Sequence, residues 1–380
     1  MPKTANSDKI TAVKQMGNEM KKEKMKSLQA LRAFAFLGIF VFHAGFIDLG
    51  AWGVSVFFVL SGFLMMYSYY DRPTQESISL KSSIGFSSKK IKKLYPLHLV
   101  TMVIAISYMV FDKILNNALE YSYLLHIAKT AALSIPLLQT WVPKMYVAFA
   151  LNGPSWYLSV SLFLYACFPY LLRFFREHIS MKNASVYLAG IYIVQTILAV
   201  TLGRLNMPEA YTNEWSKWFT YIFPAFRLGD FSAGCVLGYM FMNRNKDNCG
   251  KGLSASIFEI ITIILVVLSV YIYKKLAGGS HEWLRYTTIF LPSSLALVWI
   301  FAINKGIITQ ILTNPITVYV GNISPYAFLI HQVVICWGNY LLRTAFGANI
   351  SLWILATINL FVTVALSQIV SSIKDRRKRC

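Results

Sequence analysis

Ten stretches of about twenty apolar residues, each bounded by a short polar segment, constrain this chain more than any other feature. A helix needs about 20 residues to cross the ~30 Å hydrocarbon layer of a bilayer. Runs close to that length lie at roughly 28–48, 51–70, 95–112, 155–173, 184–203, 219–242, 254–274, 283–303, 316–342 and 350–371. Hydrophobic residues make up 56% of the 380-residue chain, more apolar surface than one water-soluble core can hide. The sequence therefore predicts an all-α polytopic membrane protein with about ten transmembrane helices and the lipid bilayer as its main partner. The stretch 121–141 carries His126, Lys129, Pro136 and Gln139, which is too polar for a plain span. It is expected as an extra interfacial or re-entrant helix.

Charge gives an independent check on this topology. The 36 Lys and Arg against 16 Asp and Glu would suggest nucleic acid in a soluble protein, but here they cluster between apolar runs. Ten spans starting from the inside put 25 Lys and Arg on one side and nine on the other, the asymmetry of the positive-inside rule. A multi-pass protein of the plasma (inner) membrane is expected, with both termini cytoplasmic and no nucleic-acid partner. Residues 1–26 read as a polar, basic tail ahead of an uncleaved signal anchor, 27–372 as the membrane domain, and 373–380 as a second basic tail. Cys167, Cys235 and Cys336 sit inside apolar runs as small hydrophobes, so no disulfide framework is implied. No zinc-ligand spacing, phosphate-binding loop or long repeat is visible, so no metal site and no permanently bound cofactor are expected.

Any chemistry must then lie among the helices, where an ionisable side chain costs about 2.5 to 3.5 kcal/mol at mid-span on insertion scales. The first span holds two. Arg32 and His43 are eleven residues apart, three helical turns plus about 20°, so they share one face about 16 Å apart along the axis. A guanidinium suits an anionic head group, and a desolvated neutral imidazole can accept a proton. The structural alternative is a snorkelling Arg32 with a His43 bonded to a backbone carbonyl. Arg227 and Asp230 stand three apart and can neutralise each other within the sixth span. His331 lies mid-span in the ninth, where a hydrogen bond across helices would also account for it.

The segment Leu31-Arg32-Ala33 to Phe42-His43-Ala44, followed by Gly53-Val54-Ser55-Val56-Phe57-Phe58-Val59-Leu60-Ser61-Gly62-Phe63-Leu64, resembles the opening signature of the membrane acyltransferase-3 family. Members of that family include O-acetyltransferases of bacterial surface polysaccharides, Nod factors and peptidoglycan. The resemblance continues through Lys89-Lys90-Ile91-Lys92-Lys93-Leu94-Tyr95-Pro96, Ser155 to Val160, Arg227 to Phe231 with Gly234, and Ser324 to His331, in the expected order. It implies that residues 27–372 form a transmembrane acyltransferase domain with His43 as its essential base. It also implies that the co-substrate is cytoplasmic acetyl-CoA or another acyl-CoA, and that the acceptor is a hydroxyl of a cell-surface or lipid-linked polysaccharide.

The donor-binding candidates are Arg32, Ser61, Gly62, Lys90, Lys93 and Tyr95. Lys90 and Lys93, one helical turn apart, would hold nucleotide phosphates by charge or simply anchor the inner face. Ser61-Gly62 would admit a thioester or simply pack helices. Trp156, Arg227, Asp230 and His331 are assigned to the acceptor or to structure. Two departures stand out, since many members carry a carboxylate where this chain has Ser55 and another where it has Ser161. The group that orients His43 is therefore not identified, with Asp48, Asp230, Glu209 and Glu214 as candidates. The main alternative function is a multi-pass transporter or flippase of a polar or lipid-linked solute, with Arg32, His43 and Arg227 lining its path.

Overall fold

The computed structural model describes residues 25–72, 78–203, 212–244, 253–277, 282–347 and 349–376. Most of the two predicted tails, and Glu209 with them, lies outside the described residues. Among those residues a long helix stands at each of the ten predicted places. They are α1 (Lys26–His43), α2 (Gly50–Tyr69), α3 (Tyr95–Leu115), α4 (Trp156–His178), α5 (Ala184–Gly203), α6 (Pro224–Asn243), α7 (Leu253–Lys275), α8 (Thr287–Ile303), α9 (Pro315–Phe346) and α10 (Leu352–Arg376). No strand occurs among the described residues. Seven of these helices are long and apolar enough to cross a membrane, and α8 is apolar but shorter. The other two, α1 and α6, carry the ionisable groups Arg32, His43, Arg227 and Asp230. Most of their residues are buried against other helices, which lets them hold charges that lipid would not tolerate.

Glycine makes that central packing possible. Gly62 of α2 and Gly234 of α6 each face the backbone of the other helix. A Cβ on Gly62 would overlap the Phe231 carbonyl, and one on Gly234 the Val59 carbonyl. Gly321 does the same for α9, lying against the backbone of Gln29 in α1. Without a hydrophobic drive between helices in lipid, such close approach supplies much of the association energy. Layers follow from this core. The apolar window of α2 is 78% buried, whereas that of α5 is 11% buried and that of α7 is 17% buried.

Helix ends follow local chemistry. α9 starts at Asn314, whose Oδ1 accepts from the Ile316 and Thr317 amides, with Pro315 in the first turn. Inside α9, Pro325 cannot donate to the Gly321 carbonyl, and the Ser324 hydroxyl donates to it instead at 2.9 Å. Between α8 and α9, the buried Glu259 carboxylate of α7 accepts from the Ile308 and Thr309 amides and the Thr309 hydroxyl at the start of a short helix. A buried carboxylate is tolerated there because it bonds amide N–H groups that have no partner within the helix.

Two segments differ from a plain reading of hydropathy. Residues 80–91, between two of the apolar runs, form an amphipathic helix whose Ser83, Ser87 and Ile91 are buried, with Phe86 stacked on Phe168 of α4. The polar content of this helix hid it, because its buried face is built partly of serines. The stretch after α3 is re-entrant. Helix Tyr121–Ser134 doubles back along α3, and its end is fastened where α3 begins. There His98 Nε2 lies 3.0 Å from the Ser134 carbonyl, and the Tyr95 hydroxyl donates to that of Ile135. Side chains satisfy the irregular return. Ser159 donates to the Leu137 carbonyl, Trp218 to that of Thr140, and Asn152 to Thr101 and to the Leu329 carbonyl. Non-helical backbone at membrane depth survives only under such cover.

The α2–α6 contact gives a direct test. Gly234→Leu forces the two helices apart and is expected to abolish recovery of monodisperse protein by size-exclusion chromatography in detergent. Gly190→Leu, where nothing lies within 4 Å of the added carbon, should elute as wild type.

Candidate active site

His43 owes its position to the way α1 stops. The helix was expected to run to residue 48 but ends at His43, because Gly45 adopts φ +87°. The Gly45 amide donates to the Phe42 carbonyl and the Phe46 amide to that of Val41, the paired bonds of a Schellman motif, which glycine accepts without a Cβ penalty. The imidazole is thereby held in the final turn, half-buried, rather than mid-helix. It faces a cavity of about 630 Å³. The cavity walls come from α1, α2, α3 and α9 and from the re-entrant segment, with Trp156, Tyr221, Gln332 and Phe328 among them.

Across from His43 stands His331. The ring centroids are 5.0 Å apart, tilted by 58°. His331 is fully buried, with Phe36 edge-on at 6.0 Å and Phe328 at 5.9 Å. The pairing of these two imidazoles brings together residues singled out in the sequence from helices far apart in the chain.

Asp48 lines the same cavity, yet its carboxylate is already engaged by the Tyr273 hydroxyl at 3.0 Å and by Arg285 at 3.1 Å. Tyr273, Arg285 and Lys217 line the cavity as well. Sequence reasoning counted Arg285 and Lys217 only as loop charges, since nothing in a single chain says which loops meet. Glu214 is exposed. Asp230 is held elsewhere.

Arg32 sits three turns below His43 and does not line the cavity. It is half-buried, and the phenols of Tyr157 and Tyr165 are its electrostatic neighbours. The Tyr165 hydroxyl shares a 3.0 Å hydrogen bond with Ser61. Between this polar level and the cavity lies a layer of rings. Tyr157 stacks on Phe58 at 4.6 Å and packs against Phe328 at 5.3 Å, and Phe57 closes the group at 6.0 Å from Phe328.

The remaining candidates fall in three places. Gly62 is occupied by its contact with α6 and leaves no open space for a ligand. Lys90 ends the amphipathic helix with its ammonium 2.5 Å from the Tyr69 hydroxyl and 4.3 Å from that ring's centre, while Lys93 follows in the turn before α3. Tyr95 fastens the re-entrant segment. Arg227 and Asp230 form an ion pair at 1% and 0% side-chain exposure. Arg227 also donates to the Tyr221 carbonyl and lies 5.1 Å from the centre of the Phe58 ring, and Gln195 donates to Asp230. Among the described residues no cluster of His, Cys, Asp or Glu is arranged to hold a metal ion.

This arrangement, an imidazole over a cavity with a guanidinium on the same helix face, spans the region that matches a family model described as an acyltransferase domain, over residues 25–372. The chain belongs to the acyltransferase-3 family. Members similar to it include the acyltransferase MdmB of Streptomyces mycarofaciens, 26% identical over 347 residues that cover 85% of this chain and 82% of MdmB. The O-acetyltransferase OatA of Staphylococcus aureus strain NCTC 8325 / PS 47 is 24% identical over 339 residues. That match covers 83% of this chain but only 51% of OatA, so the chain spans about half the length of that relative. No solved structure matches the chain significantly. The match takes in every long helix but the end of α10, so this acyltransferase-3 domain is a multi-pass membrane fold throughout.

The Arg227–Asp230 pair separates a structural role from contact with a ligand. Arg227→Leu alone strands a buried carboxylate and should cost about 3 to 5 kcal/mol. The double replacement Arg227→Leu/Asp230→Leu should recover most of that loss in chemical unfolding, because both charges leave together.

Proposed function

We propose that the protein transfers an acetyl group from cytoplasmic acetyl-CoA to a hydroxyl of a cell-surface or lipid-linked polysaccharide, with His43 as general base. The observation that carries this reading is the half-buried His43 imidazole on the wall of a 630 Å³ cavity, aligned above Arg32 on one helix face. Membership of the acyltransferase-3 family supports acyl transfer, and the name of OatA, an O-acetyltransferase, supports the acetyl group and the oxygen acceptor.

In this mechanism the acceptor enters the cavity and its hydroxyl meets His43. The imidazole takes the proton as the oxygen attacks the thioester carbonyl. The carbon–sulfur bond then breaks, and the departing thiolate takes the proton from His43. Donor binding falls to the opposite level of the bundle. Arg32, with the Ser61–Tyr165 pair beside it, would meet the pantetheine arm, and Lys90, Lys93 and Tyr95 stand where the nucleotide phosphates would arrive. The excess of Lys and Arg on segments joined to that level, from Lys26 to Arg376, supports placing it in the cytoplasm. The protein would then lie in the plasma membrane with both termini inside, and the acceptor would approach from the other face.

A radiolabel experiment tests this. Purified protein in nanodiscs, given labelled acetyl-CoA and the glycan and glycolipid fraction of its own cell envelope, should deposit base-labile acetate. His43→Gln should lower kcat by about two to four orders of magnitude. Undiminished transfer by that variant would rule out the base, and no consumption of acetyl-CoA by wild type would rule out the donor. Lys93→Ala should raise the KM for acetyl-CoA while leaving kcat unchanged, as expected for a group that binds without reacting.

A further inference from the structure

We infer that His331 is the positioning residue for His43, in the place of a carboxylate. A base histidine works when its second nitrogen is held by an acceptor that fixes the ring's tautomer and orientation. Among the described residues the acidic candidates are engaged or exposed, since Asp48 is held by Tyr273 and Arg285 and Asp230 by Arg227 and Gln195, and Glu214 is exposed. At the two sequence positions where carboxylates are common in the family, Ser55 is bonded by Ser294 at 3.2 Å and Ser161 is buried.

His331 has the required chemistry. Its Nδ1 lies 3.3 Å from the Ala327 carbonyl oxygen, and only a protonated Nδ1 can donate there. The proton is then on Nδ1, and Nε2 is left with a lone pair. That nitrogen is buried and has no hydrogen-bond partner. An unpaired acceptor in this position costs free energy, and the His43 ring stands beside it with centroids 5.0 Å apart. A change of ring tilt brings a His43 N–H onto His331 Nε2. The other His43 nitrogen then faces the cavity as the base.

When His43 takes the hydroxyl proton, its imidazolium keeps the N–H that points at His331. The bond strengthens because its donor has become charged. No proton passes to His331, whose Nδ1–H stays on the Ala327 carbonyl. Phe36, Phe40 and Phe328 around His331 exclude water from this bond.

This role rests on His43 being the base, so the experiment reads the two apart. Nitrogen-15 spectra of the wild-type protein in nanodiscs, with labelled histidine, should show His331 protonated at Nδ1 and bare at Nε2. In His331→Leu the His43 ring signals should shift. Acetyl transfer from labelled acetyl-CoA to the cell-envelope fraction should lose kcat by about 10-fold or more, at least the cost of removing the partner that orients a metal-bound histidine, with the KM for acetyl-CoA unchanged. His331→Gln, which keeps an acceptor oxygen near the place of Nε2, should restore most of the rate. An Nε2-protonated His331 in the wild type overturns the inference, and that spectrum decides the matter even if His331→Leu fails to fold. Wild-type turnover by His43→Gln removes the base and this role together. An inactive His43→Gln beside a fully active His331→Leu removes the role of His331 alone.

Discussion

A polar group in hydrocarbon has no water to bond with, so every backbone amide and every charge in this protein needs a partner supplied by the fold. That requirement places the helices. α1 and α6, which carry Arg32, His43, Arg227 and Asp230, are drawn to the middle, and α2 and α9 close on them through glycines that let backbones touch. The more apolar α5 and α7 lie outside, each turning one buried polar side chain inward, Gln195 and Glu259. The same requirement governs the details. Ser324 bonds the carbonyl that Pro325 cannot, Glu259 binds the open start of a short helix, and Asn152 covers the return of the re-entrant segment.

The site follows from this economy. A helix that ended elsewhere would point its last side chains elsewhere, and Gly45 decides where α1 ends. His43 therefore reaches the cavity from a helix terminus, while Arg32 keeps its place on the same face three turns away. His331 arrives from α9, whose register against α1 is fixed where Gly321 meets the backbone of Gln29. Membership of the acyltransferase-3 family over residues 25–372 fits a design in which the membrane helices are themselves the reactive domain.

Much of this was legible in the residues. The ten apolar runs located the ten long helices to within a few positions, because hydrocarbon thickness imposes a length that sequence must meet. The polar residues of 121–141 marked it correctly as something other than a span, and the 3.6-residue period placed Arg32 and His43 on one face. What escaped was set by tertiary contact or by a single torsion. The early stop of α1 depends on one glycine taking a left-handed φ, while the helix at 80–91 buries serines that look like loop residues. The approach of His331 to His43, and of Arg285 to Asp48, joins segments far apart in the chain. Ser61-Gly62 suggested a small-residue opening, and the fold divides the pair, with Ser61 bonded to Tyr165 and Gly62 pressed to α6.

The ring layer of Phe57, Phe58, Tyr157 and Phe328 has a consequence for the cell that carries the protein. A bundle with polar residues at both ends and a cavity at one of them is a short step from being a proton wire. Packed aromatic rings offer no hydrogen-bonding edge to a file of water molecules, a barrier to proton leakage between the levels of Arg32 and His43. Any molecule threaded between the two levels must part those rings and then let them close behind it.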